Sequence, residues 1–224
     1  MINSKSILKS HLQPLEEVYQ PYVNKSYGMQ GMQKLINEFQ FETVLDIGCG
    51  KGVHSELFQQ QGKIVTSIDY GDSVYFQSAR PANAIIGDYM SYKPESPFDC
   101  IWCCHVLEHQ LNPNIFLKKI YHDLVDGGVL AITIPPLKHD IVGGHVSLWN
   151  AGLLLYHLVH AGFDCKDASL LRYAYNITCI VKKKPIENFP KLTFDAGDID
   201  LLASYFPEGL KEGFDGDIYE LNWY

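Results

Sequence analysis

The chain has 224 residues, enough to bury a sizeable core in one domain with elaborations. Its formal charge of −8 lies almost wholly in residues 185–224, where nine acids face only Lys191 and Lys211. Neither that segment nor the rest carries the basic face of a nucleic-acid binder, and no apolar run approaches a membrane span in length. Ser4, Lys5, Ser6, Lys9, Ser10 and His11 interrupt the N-terminal apolar residues, which excludes a compact signal region. Cysteines at 49, 100, 103, 104, 165 and 179 sit mostly in apolar strand-like runs, the usage of reduced core thiols in a cytoplasmic protein.

In chain order, residues 5–20 and 29–39 read as short amphipathic helices separated by Pro21 and a Tyr22-to-Gly28 loop. Met29, Met32, Leu35, Ile36 and Phe39 recur at helical spacing and give the second helix one apolar face. Residues 1–40 thus form an N-terminal helical segment, which either covers one end of the core or closes as a lid. Strand 42–47 runs into Gly48-Cys49-Gly50-Lys51-Gly52, where alternating glycines permit unusual φ/ψ and close approach of a ligand. A helix over 53–61 stops at Gly62, and strand 64–69 ends in Asp69. An acid about twenty residues beyond a glycine loop stands where a nucleotide-binding βαβ unit places its ribose-binding carboxylate.

A short helix ending before Pro81 precedes strand 83–87. Strand 98–104 precedes a helix from Asn112-Pro113 to about Leu124, with proline in its favoured first-turn position. Asp126-Gly127-Gly128 makes the turn into strand 129–134. Asn150 caps a helix over 151–160 that ends at Gly162, and strands near 164–172 and 175–183 close the regular part. This alternation predicts an α/β sandwich with a mostly parallel sheet. Residues 185–224 break the pattern, yet their eight aromatics predict an ordered appendix packed on the domain.

The glycine loop also narrows the ligand. A dinucleotide fingerprint, G-x-G-x-x-G, would need glycine at 53, where the chain has Val53. Asp46-Ile-Gly48-Cys-Gly50-Lys-Gly52 instead resembles the first motif of class I S-adenosylmethionine-dependent methyltransferases. The resemblance runs from about residue 41 to 183 through Asp88-Tyr89-Met90, the stretch Phe98–His109, and Asp126–Pro135. It implies a Rossmann-like three-layer sandwich whose seven-stranded, mostly parallel sheet ends in an antiparallel strand. Residues 41–184 would then be the cofactor-binding domain. By the same resemblance Asp46, Gly48 and Gly50 would contact the methionine end, Asp69 both ribose hydroxyls, and Asp88 the adenine amino group. Tyr89 would add a backbone contact, and Cys49, Tyr70, Cys104 and His105 complete the expected cofactor set.

Two metal readings compete. His105-Val-Leu-Glu108-His109 matches the inverted zinc-peptidase motif H-x-x-E-H, but it follows directly on a buried strand and Asn112-Pro113 leaves little room for a helix. Cys100 and Cys103 are three apart in a strand and face opposite sides of the sheet. No metal is therefore expected. His145, beyond the strand ending near Ile134, lies at the edge where open α/β sheets bind ligands and could take a proton from an acceptor hydroxyl.

The resulting expectation is a cytoplasmic S-adenosylmethionine-dependent methyltransferase with His145 as its candidate base. Its acceptor would be small or medium-sized, with a sugar or glycan hydroxyl favoured because aromatics and acids of 185–224 suit sugar rings. Alternatives are a quinone-like acceptor, a cofactor-binding module without turnover and, remotely, the peptidase. The appendix could instead cap a sheet edge or pair two subunits in a homodimer.

Overall fold

The computed structural model describes residues 27–224 except 79, 80 and 82, so the helix expected over 5–20 lies outside the described residues. Strands β1 (Thr43–Ile47), β2 (Ile64–Asp69), β3 (Ile85–Ile86), β4 (Phe98–Cys104) and β5 (Leu124–Ile134) are followed by β6 (Ser169–Tyr173), β7 (Asn176–Lys182) and β8 (Glu220–Leu221). They form one sheet in the order β3-β2-β1-β4-β5-β7-β6-β8. The first five are parallel; β7 runs antiparallel to β5 and β6, and β8 antiparallel to β6. Strand order reverses between β1 and β4, so a crevice opens at their carboxyl ends. Among the described residues the sheet has one strand more than the seven expected. β8 is only two residues long, too short for alternation to reveal.

Helices are α1 (Met29–Glu38), α2 (Val53–Gln60), α3 (Val74–Ser78), α4 (Pro113–Asp123), α5 (Ala151–Ala161) and α6 (Asp198–Leu201). Asn150 caps α5 as expected, its Oδ1 accepting from the Leu153 amide at 2.8 Å. Asn112 occupies the same place before α4 without a side-chain cap bond, and Pro113 is left to start that helix. The expected turn at Asp126-Gly127-Gly128 lies inside β5, which begins at Leu124. A register shift against β4 between Phe98 and Cys100 absorbs it.

Side chains alternate between two cores. Leu45, Ile47, Ile101, Cys103, Leu130 and Ile132 face the layer that holds α4 and α5. Val44, Cys100, Trp102, Val129 and Ala131 face the layer of α1 and α2. Cys100 and Cys103 thus lie on opposite sides of the sheet. Met29, Met32 and Leu35 of α1 are buried on this second face, where the helix packs on β5 and β7. Leu202 and Phe206 join the first core and Trp223 the second. Lys34 is buried on α1 and donates to the Trp223 carbonyl at 2.5 Å and to Glu38 at 2.7 Å. Residues 185–224 thereby wrap the β6 edge and reach both faces.

Candidate functional site

The loop after β1 turns through Gly48 at φ 70°. A Cβ at Gly48 would stand 2.4 Å from Val106 Cγ2, so only glycine keeps the passage between the two loops open. Beneath the loop, Asp46 is 1 % exposed and accepts from Ser55 Oγ at 2.5 Å. Ser55 Oγ also meets Ser67 Oγ at 2.8 Å, which ties α2 to β1 and β2. Asp69 accepts from the Gly50 amide at 3.0 Å and from the Gly71 amide at 2.9 Å, one bond to each carboxylate oxygen. A carboxylate has about four acceptor sites, so both oxygens retain capacity for ligand hydroxyls.

The crevice is lined by Ile47, Gly48, Ile68, Asp69, Tyr70, Gly87, Asp88, Tyr89, Val106, Gln110 and Phe116. Asp88 Oδ1 accepts from the Met90 amide at 2.8 Å, capping the short turn Tyr89–Ser91, and from Tyr70 Oη at 2.9 Å. Tyr89 turns its ring into the core, donating to Asp123 at 2.9 Å, so its exposed contribution is backbone. Among the residues expected at the cofactor, Gly48, Asp69, Tyr70, Asp88 and Tyr89 meet on this wall. Asp46, Cys49 and Gly50 build the loop from behind, and Cys104 lies against Gly28. The His105 ring turns elsewhere, packing between Tyr27 at 4.5 Å and Tyr175 at 5.9 Å. Val106 and Gln110 were missed, although Val106 lies within the stretch Phe98–His109 and Gln110 directly follows it.

The crevice fits the expected cofactor. Its lining carries Asp69 and Asp88 and no lysine or arginine, which suits a cationic ligand and not a pyrophosphate. Burial, partly offset by the Ser55 hydrogen bond and reinforced by the charge of Asp69, raises the Asp46 pKa from 3.8 to about 7. The folded state therefore holds a proton that the unfolded chain loses. This stabilisation is fully present below about pH 4 and is lost as pH rises through about 7. Urea melts should show wild type losing a few kcal/mol between about pH 5 and pH 8 relative to Asp46→Asn. Parallel pH slopes for the two proteins would disprove the assignment.

Beyond β4 the chain forms a short 3-10 turn, Leu107–His109, in place of the helix that H-x-x-E-H requires. His105 takes a left-handed φ of 55°, and its Nε2 meets Asn176 Oδ1 at 3.0 Å. That oxygen also accepts from the Gly28 amide, so His105 Nε2 carries the proton. The zinc-peptidase arrangement is thus not built. Instead the β5–α5 connection folds onto the turn: Val146 donates to the Glu108 carbonyl at 2.9 Å, and the His109 and His145 rings stand 5.0 Å apart, edge to face. Desolvation lowers the His145 pKa below its ordinary 6.5. The same connection exposes Leu137, Ile141, Val142, Val146 and Leu148 together with Lys138, His139 and Asp140, and Leu111 is exposed just after the turn.

A family model described as a methyltransferase domain matches residues 24–166. The ubiquinone biosynthesis O-methyltransferase of Xylella fastidiosa (strain 9a5c) is 29% identical over 220 residues, covering 86% of this chain and 80% of its own. That of Caulobacter vibrioides is 33% identical over 104 residues, 42% of this chain and 41% of its own. In structure the chain is similar to Burkholderia thailandensis 1,6-didemethyltoxoflavin-N1-methyltransferase, solved with S-adenosylhomocysteine. Here the TM-score is 0.59 and the identity 15%, over 80% of this chain and 86% of that one. A methyltransferase from Archaeoglobus fulgidus gives a TM-score of 0.58 at 16% identity, over 81% of this chain and all (100%) of its own.

Proposed function

Since the chain belongs to the methyltransferase-domain family, with the class I S-adenosylmethionine-dependent fold, we propose that it methylates a hydroxyl of a small aromatic, quinone-type acceptor. The observation that carries this reading is the crevice with Asp69 and Asp88 on its wall, one turn from the Glu108, His109 and His145 cluster. When bound, S-adenosylmethionine supplies a methyl on a sulfonium, and the C–S bond breaks as the C–O bond forms. Asp69 takes the ribose hydroxyls, Asp88 the adenine amino group, and the acids around the loop favour the cationic end. The cluster on the acceptor side holds the hydroxyl where it can lose its proton, and the exposed aliphatic side chains of the 135–150 connection accept the ring.

Two observations favour an aromatic acceptor over a sugar. The connection beside the cluster exposes the aliphatic side chains Leu137, Ile141, Val142, Val146 and Leu148, with Lys138, His139 and Asp140 among them, and the relatives are named for ubiquinone biosynthesis. Residues 185–224, whose aromatics suggested sugar stacking, lie along β6 and α5, whereas the crevice lining comes from residues 47–116. In this reading the appendix caps the sheet edge.

Mass spectrometry after incubation with S-adenosylmethionine and either hydroxylated aromatics or free sugars tests the assignment. A methyl ether on the aromatic hydroxyl is expected. Methylation of the sugar alone, or binding without turnover on either class, would overturn it. On the same protein, Asp69→Ala should weaken cofactor binding by about 1.5–3 kcal/mol in calorimetry, the scale of charge-assisted hydrogen bonds. Unchanged affinity would remove Asp69 from the ribose.

A further inference from the structure

Glu108 has no accessible surface, and neither of its carboxylate oxygens has a hydrogen-bond partner. A buried carboxylate in that state costs several kcal/mol unless a cation neutralises it. The neighbouring His105 gives Glu108 no hydrogen bond: its Nδ1 stands 3.2 Å from Oε1 without hydrogen-bond geometry, close enough for an ion pair only when the ring is protonated. His109 is set differently. Its Nδ1 meets the Gly144 carbonyl at 2.7 Å, an acceptor only, which fixes the proton on Nδ1 and leaves Nε2 with a free lone pair. That Nε2 lies 3.9 Å from Glu108 Oε1. One ligand atom each from Glu108, His109 and His145 falls within 4.8 Å of the others.

We propose that Glu108, His109 and His145 hold one divalent transition-metal ion. Two neutral imidazoles and a carboxylate are the donor set of open zinc and related first-row sites, not of magnesium or calcium. Ligand atoms around such an ion stand roughly 3–3.5 Å apart, so the set closes by small rotations of the exposed His109 and half-buried His145 onto the fixed Glu108. The His109 bond to Gly144 is the outer-shell contact that orients a ligating imidazole. Resting on the proposed function, the ion's open positions take the acceptor's hydroxyl oxygen and ease loss of its proton to water. His145 then gives its lone pair to the ion and is a ligand, not the base. This replaces the expectation of no metal.

Calorimetric titration of Zn²⁺ into the chelator-stripped full chain, without cofactor or acceptor, tests the site. One ion per chain is expected, with affinity lower by about tenfold or more in His109→Ala, His145→Ala and the near-isosteric Glu108→Gln. His122→Ala, on the far exposed side of α4, should bind as wild type does. Thermal melts verify that the variants fold, and Co²⁺ gives a second reading through visible ligand-field bands present in wild type and lost in His145→Ala. No uptake by wild type, or uptake undiminished in both histidine variants, overturns the site. Methyl transfer is followed on the same samples. Ion binding without transfer upholds the site and rejects the proposed function, while full transfer in the stripped protein rejects the ion's part in the reaction.

Discussion

His145→Ala is expected to lower kcat with a hydroxyl acceptor by about 10²–10⁴ and to leave cofactor affinity close to wild type. The split follows from position. His145 stands with Glu108 and His109 on the side proposed for the acceptor, and the crevice wall is built from residues 47–116. Desolvation holds its pKa below 6.5, so near neutral pH it carries a lone pair, as both a base and a metal ligand must. The two roles part on chelation: a base keeps working in stripped protein, whereas a ligand's contribution disappears with the ion. Steady-state kinetics with and without chelator would separate them, and unchanged turnover in His145→Ala would deny the residue either role.

Gly48→Ala should cost about 2–5 kcal/mol of stability and remove most cofactor binding. Two independent penalties add. The φ of 70° strains any residue with a Cβ, and that Cβ would overlap Val106 Cγ2 at 2.4 Å. Val106→Ala in the same chain should relieve the overlap and leave the backbone strain, recovering part of the stability. Denaturant melts of the two singles and the double measure this coupling. Simple additivity would mean that the loops move apart freely and that Gly48 is not the close-approach point.

The parallel half of the sheet and the crevice wall were legible because they rest on local signals. Glycines after an apolar strand, an acid ending the next strand and Asn150 before an apolar helix each carry their geometry in a few adjacent residues. The metal cluster was not. Glu108 and His109 are 36 residues or more from His145, and only the folding of the 135–150 connection onto the turn after β4 brings them together. The H-x-x-E-H string pointed to His105, but its left-handed backbone commits Nε2 to Asn176 and leaves Nδ1 beside Glu108 without hydrogen-bond geometry. Lys34 likewise looks like a solvent-facing residue of α1. Its burial depends on Trp223, far along the chain.

The core cysteines turn this protein into its own reporter. Burial pushes the Cys49 and Cys179 thiols up to about 12 and drives those of Cys103, Cys104 and Cys165 well above their ordinary range. A thiol reagent reacts with thiolate, so labelling at neutral pH waits for the chain to open. Cys165 and Cys179, deep in the antiparallel half, time the opening of the whole domain. Cys49 sits in the glycine loop, so its modification rate follows breathing of that loop. A ligand that seats against the loop slows Cys49 selectively, and the ratio of its rate to those of Cys165 and Cys179 reads occupancy without any assay of product.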